Sequence, residues 1–167
     1  MVVMTGNRRR AREEALQLLY AIELSRNSLE DALKDTSLIR SDNSTFDPFT
    51  RSLIEKAVEV SQECTVMIEK HARNWKLDRI ALIDNLILRI AITEFLFFSD
   101  IPPKVTINEA LEIAKKFSTT NSGRFINGIL DSVLAELLAA HKIFKEGRGL
   151  HTEPRKPVRK SQQKESK

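Results

Sequence analysis

Residues 82–98 read LIDNLILRIAITEFLFF, and this stretch decides the fold. Its apolar residues do not alternate with polar ones as those of a half-buried strand would. They recur at helical spacing, with Leu86, Ile87, Ile90, Ala91, Phe95 and Phe98 leaving little polar surface. A helix that is apolar all round belongs inside a protein. The spacing therefore predicts a helix at the centre of the second half of the chain, capped at its start by Asp78. Its longest unbroken apolar runs, Leu86 to Leu88 and Phe95 to Phe98, are far too short to span a bilayer.

Working outward, Asp100-Ile-Pro-Pro ends this element, because proline neither continues a helix nor lets the preceding residue do so. Thr106 with Glu109 three residues on reads as a capping box for the next helix, whose apolar face is Ile107, Ala110, Leu111, Ala114 and Phe117. Thr119 to Ser122 reads as a turn capping a last helix, with Ile126, Ile129, Leu130, Val133, Leu134 and Leu137 inward.

Upstream, Asp47-Pro48 marks a helix start, extended by Leu53, Ala57, Val60, Cys64, Met67, Ile68 and His71 to about Asn74. Ser37 to Asn43 is polar and reads as a loop, and Ser28 with Asp31 caps a short helix. Ala11, Ala15, Leu18 and Ile22 form the stripe of a first helix over about Thr5 to Ser25. The expectation is an all-α fold of about seven helices in two packed helical bundles. Residues 1–143 form the helical domain, in halves of about 5–75 and 77–143. No apolar period survives beyond Lys145, so residues 144–167 are expected to be a basic disordered tail.

A chain of 167 residues with 41% hydrophobic content can build a core without staples. Cys64 is the only cysteine, which rules out an intrachain disulfide and a cysteine-based zinc site. Met1 to Asn7 has no secretory pattern, so a cytoplasmic protein without membrane, metal or cofactor is expected. Charge is unevenly placed. Residues 1–12 carry four arginines and no acid, residues 142–167 carry nine bases against three acids, and the body between has 14 bases against 20 acids. An acidic body with basic ends fits a chain whose ends meet a polyanion.

No catalytic constellation emerges. His71, His141 and His151 are never one helical turn apart, and no glycine-rich phosphate loop or nucleophile motif is present. Cys64 and His71 share a helix face, but Cys64 lies in the apolar register between Val60 and Met67, as buried cysteines do. An enzyme using Cys64, or a carboxylate pair such as Glu109 and Glu112, ranks last; the chain is expected not to be an enzyme.

The positive signal is for nucleic acid. Arg8, Arg9, Arg10 and Arg12 stand within two turns at the start of a helix, and a guanidinium fork suits phosphate. Arg9, Arg12, Leu16 and Tyr20 fall on one stripe, so Tyr20 could stack on an unpaired base beside the arginines. The alternative pairs Arg9 and Arg10 with Glu13 and Glu14 at i,i+4 and puts Tyr20 in the core. A second candidate is the start of the last helix. Arg124 offers charge there and Phe125 a ring, with Lys115 and Lys116 close in sequence. The alternative makes Phe125 a core residue. Gly128 reads as a close helix–helix contact.

Four segments then carry a resemblance: Arg8–Glu13, Leu88–Glu94, Ile101–Ala110 and Arg124–Asp131, in this order. They resemble the NusB family over about residues 7–140. The resemblance implies an all-α fold of two helical bundles. It further implies a factor that binds the boxA segment of nascent ribosomal RNA together with the ribosomal protein NusE. With other Nus factors, such a protein makes elongating RNA polymerase resistant to termination and supports rRNA synthesis. The family's arginine-rich start falls on Arg8, Arg9, Arg10 and Arg12, and its second RNA-facing patch on Arg124 and Phe125. The family's partner-facing central helix makes Asp84 and Glu94 candidate NusE contacts. Some members form homodimers, which the sequence leaves open. The competing non-enzymatic reading is a protein-interaction module without direct RNA contact.

Overall fold

The computed structural model describes residues 5–42, 44–75 and 79–144. Among them are seven α-helices and no strand: α1 (Thr5–Ser25), α2 (Leu29–Lys34), α3 (Pro48–Glu59), α4 (Ser61–Ala72), α5 (Leu82–Phe97), α6 (Pro103–Phe117) and α7 (Ser122–Ala139). Single 3₁₀ turns follow α2 at Thr36–Leu38 and α4 at Arg73–Trp75.

Helix α5 organises everything else. Every residue from Leu86 to Phe95 is buried, and α1, α3, α4, α6 and α7 all pack against it. The buried residues of both halves, from Ala15 to Ile143, form one continuous cluster. The most apolar segment thus takes the centre of the whole fold, where a helix with no polar face loses least by burial. No helix among the described residues is long and apolar enough to cross a membrane.

Local signals set two of the helix starts. Ser28 accepts the Asp31 amide at 3.1 Å, and Asp47 accepts those of Phe49 and Thr50 at 3.0 Å with Pro48 at the first helical position. Elsewhere the structure corrects the sequence. The helix expected over 48–74 breaks at Val60 (φ −99°, ψ 16°). The break lets Leu53, Ile54 and Ala57 of α3 pack on α1 and α5, while Cys64, Met67 and Ile68 of α4 turn toward α5 and α7. Part of the expected loop at 37–43 is a 3₁₀ turn whose Ser37 amide donates to Asp35. Helix α6 begins at Pro103, not Thr106, and no capping box forms. Thr106 is buried and donates to Glu94 at 2.7 Å, while Glu109 accepts from Arg9. Both side chains find stronger partners across the fold than on their own helix. At the start of α7 no side chain caps the helix either; the Ser122 amide donates to the Thr119 carbonyl at 3.0 Å. The expected cap Asp78 and the tail from residue 145 lie outside the described residues.

Candidate nucleic-acid interface

The four arginines of α1 divide into two sets. Arg12 is 3% exposed. Its Nε and Nη2 both donate to the Glu94 carboxylate, the latter at 3.1 Å, and Glu109 lies 3.7 Å from Nη1. With Thr106, these groups form a buried polar centre between α1, α5 and α6. Arg12 is therefore withdrawn from solvent, contrary to the expectation that it faces RNA. The reason is positional: it shares its side of α1 with Ala11, Ala15, Leu16 and Leu19, all in the core.

Arg8, Arg9 and Arg10 keep solvent access. Arg9 forks onto Glu109 through Nε at 2.9 Å and Nη2 at 2.8 Å. That fork holds the Glu109 carboxyl below the usual carboxylate range and strengthens the hold of Arg9 on its proton. Arg8 donates to Asp100 at 3.2 Å and lies 5.0 Å over the Phe49 ring. Arg10 takes the anticipated i,i+4 partner Glu14 at 3.0 Å, whereas Arg9 bypasses Glu13. Glu14 is buried and also accepts from Arg40 at 2.8 Å, which pins the segment between α2 and α3.

Glu13 instead receives Lys116 of α6, with Nζ 2.6 Å away. Residues 9 and 13 on α1 thus engage 109 and 116 on α6, and side-chain bridges knit the two helices into one surface. Lys115 on the last turn of α6 donates to Glu112 at 2.6 Å, which lowers the Glu112 carboxyl. Arg124, on the first turn of α7, is exposed and has no ion-pair partner among the described residues. Two sequence segments about a hundred residues apart therefore contribute to a single charged face.

The rings behave differently from the charges. Phe125 is 5% exposed and meets Trp75 edge-on, with centroids 5.4 Å apart and planes at 86°. It is a core residue packed at the turn, and its ring is not presented to a base. Tyr20 is 37% exposed, but it stands eleven residues after Arg9 on α1, roughly 16 Å along the axis.

The two acids expected to meet a partner protein are also buried. Asp84 accepts from the Ser118 hydroxyl and from that of Ser122 at 2.8 Å, fixing the α6–α7 turn to α5. Glu94 is fully buried on Arg12 and Thr106. Both face inward because α5 is enclosed, and a buried carboxylate must find donors there. The sequence reading missed Asp100, Glu109 and Phe49 as neighbours of the arginines. The acids carry no local mark of that role, and Phe49 reaches the site only through the packing of α3 on α1.

Cys64 is fully buried, which pushes its thiol up to about 11, the state of an inert core cysteine. His71 pairs with Glu136 at 2.7 Å. No cluster of three or more metal-ligating side chains occurs among the described residues. What remains is a face of cations held in exchangeable pairs. The cations Arg9, Arg10 and Lys116 are about half exposed or more, whereas their partners Glu109, Glu14 and Glu13 are largely sheltered, so a phosphate can approach these cations from solvent.

Comparison with known proteins agrees over nearly the whole helical region. The family model described as "NusB family" matches residues 9–135. A Salinibacter ruber protein named transcription antitermination protein NusB is 44% identical over 149 residues, covering 87% of this chain and 91% of its own. A Chloroherpeton thalassium protein of the same name is 41% identical, covering 93% of this chain and 74% of its own. Among solved structures, T. maritima NusB superposes with a TM-score of 0.66 at 36% identity, over 77% of this chain and 91% of that one. NusB in a crystal structure with NusE and double-stranded RNA has a TM-score of 0.67 over 80% of this chain and 99% of that one. At 24% identity, that last likeness concerns the fold alone. On the match of residues 9–135 and the identity to these relatives, the chain belongs to the NusB family.

Proposed function

We propose that this protein is a non-catalytic RNA-binding antitermination factor. In this reading it engages a boxA-like single-stranded RNA through the α1/α6 face and acts with the ribosomal protein NusE in the cytoplasm. Through other Nus factors it joins the RNA polymerase elongation complex and supports processive rRNA transcription. The observation that carries the reading is the joining of the arginine-rich start of α1 to the lysine-bearing end of α6 through the pairs Arg9–Glu109 and Lys116–Glu13. Relatives named as transcription antitermination proteins, and a like fold seen with NusE and RNA, support it.

In binding, each fork would exchange its carboxylate for a phosphate, and the affinity would depend on salt through the counterions released. Arg124 needs no such exchange and is the most available of the cations. Arg12 and Phe125 serve the site from beneath, one by anchoring α1 and the other by seating the start of α7. Asp84 and Glu94 are not proposed as partner contacts.

The test is a salt-dependent titration of a boxA-like RNA against a scrambled RNA, with and without NusE. The triple change of Arg8, Arg9 and Arg10 to Ala is expected to lower the log–log salt slope by about 2, from roughly 0.7 per phosphate contact on a single strand. Wild type that binds neither RNA, even with NusE, would overturn the reading in favour of a protein-interaction module. Sedimentation of the free protein separates monomer from homodimer.

A further inference from the structure

Beside the cationic face lies a recess of about 200 Å³ between the first turns of α1 and the start of α6. That is far above the roughly 10–15 Å³ needed for a single water. Its lining includes Arg8, Pro102 and Val105, the carboxylates of Asp100 and Glu109, and Arg12, which pairs with Glu94 and Glu109. Val105 is 43% exposed and Pro102 half-buried, so an apolar wall stands in water directly beside the arginines.

Arg8 forms the opposite side and is unusually well supported. Its guanidinium lies over Phe49, and Phe49 in turn meets Phe98 edge-on, with centroids 5.3 Å apart. Asp100 holds its Nη2 at 3.2 Å. The guanidinium is thus held over Phe49, which packs edge-on against Phe98 just past the end of α5, and by a carboxylate at its edge. A planar cation held in place beside an apolar wall suits one kind of ligand group, a flat aromatic ring that stacks on guanidinium and excludes water from hydrocarbon. Neighbouring Arg9 supplies the charge for the phosphate attached to such a ring.

We propose that this recess is a subsite for one base of a single-stranded RNA, with Arg8 as the stacking platform and Val105 and Pro102 as the facing wall. The proposal rests on the RNA-binding reading above and adds a base-dependent contribution to its phosphate contacts. Asp100 and Phe49 are positioning residues that hold Arg8 in the stacking plane.

The experiment uses the full chain and a short boxA-like RNA carrying one abasic nucleotide, moved through each position in turn. For wild type, one position is expected to weaken binding by about 5- to 150-fold, the range of one base stack. Val105→Trp fills the recess from an exposed position, so it leaves the core intact. It should remove that abasic penalty while keeping the salt slope of wild type. Phe49→Leu should shrink the penalty without filling the recess, and thermal melts check that both variants are folded. A wild type that binds with a normal salt slope but shows no sensitive abasic position overturns the subsite and leaves the RNA reading standing. A Val105→Trp variant that keeps the penalty places the base elsewhere and also overturns it. If Val105→Trp loses NusE but keeps the full RNA response, the recess is a protein contact instead. No RNA binding by wild type removes the underlying reading, and the subsite with it.

Discussion

Arg9 and Arg12 are three residues apart, and both touch Glu109, yet they belong to different environments. Arg9 keeps 47% of its side chain in solvent, whereas Arg12 keeps 4% and points into a carboxylate that is wholly buried. An ion pair in water is weakly held and can be exchanged. A buried pair is costly to break, because each partner strands the other without hydration. One arginine-rich segment thus provides both the anchor of its helix and the cations of its surface. Residue type does not separate the two roles; the face of the helix does.

The sharpest way to break this contrast is to remove Glu94. Glu94→Ala leaves the Arg12 guanidinium and the Thr106 hydroxyl buried without their acceptor, and a loss of about 3–5 kcal/mol is expected in urea unfolding. A loss below about 1 kcal/mol would mean that water reaches the pair, and the distinction between anchor and surface would fall.

The same contrast shows what the sequence could and could not tell. The caps at Ser28 and Asp47 and the buried run of α5 depend on neighbours along the chain, and they were legible. Thr106 and Glu109 matched the capping-box pattern, but their hydroxyl and carboxylate went to Glu94 and Arg9, partners that only the packing of α1, α5 and α6 brings near. Arg12 was hidden inside a run of arginines. Its one local clue was a shared stripe with Ala15, Leu16 and Leu19. A second clue was Glu94 itself, a carboxylate in the middle of an apolar helix that had to find a cation or several donors. The break at Val60 carried no glycine or proline to announce it. It follows from which neighbours each half of that segment packs against.

The core also holds a group whose effect depends on pH. Burial raises the Cys64 thiol from 9 to about 11, with the Thr93 contact and the Arg89 charge pulling the other way. Because the folded value is raised, the stabilisation is fully present below pH 9 and is lost as pH rises from 9 toward 11. The shift is equivalent to roughly 2–3 kcal/mol. Stability of wild type relative to Cys64→Ala should fall by about that amount across this window. Parallel pH profiles of the two proteins would show that the thiol is not secluded.

Gly128 tests packing in the first half of α7. A Cβ built there would stand 2.5 Å from Cζ2 of Trp75, so the indole that seats Phe125 would have to move. Overpacking of this kind costs about 1–3 kcal/mol, partly offset by the helix propensity of alanine, worth about 0.5–1 kcal/mol. Gly128→Ala is expected to lose about 1–2 kcal/mol, with a red shift in the emission of the only tryptophan. An unchanged spectrum with unchanged stability would mean that Trp75 does not pack on α7 as described.

The smallest effect on stability is expected at Arg9, and it sharpens the comparison most. Arg9→Ala removes an exposed fork and leaves Glu109 within reach of Arg12, so unfolding should change by less than about 1 kcal/mol. The change in RNA binding runs the other way. Losing one phosphate contact should reduce the salt slope by about 0.7 on a single strand. Arg12→Gln should leave the slope unchanged in whatever fraction remains folded, since its guanidinium is almost wholly buried and committed to Glu94. If instead Arg12→Gln flattens the slope as much as Arg9→Ala, Arg12 must leave Glu94 when RNA binds. The buried centre would then be part of the binding surface rather than its foundation.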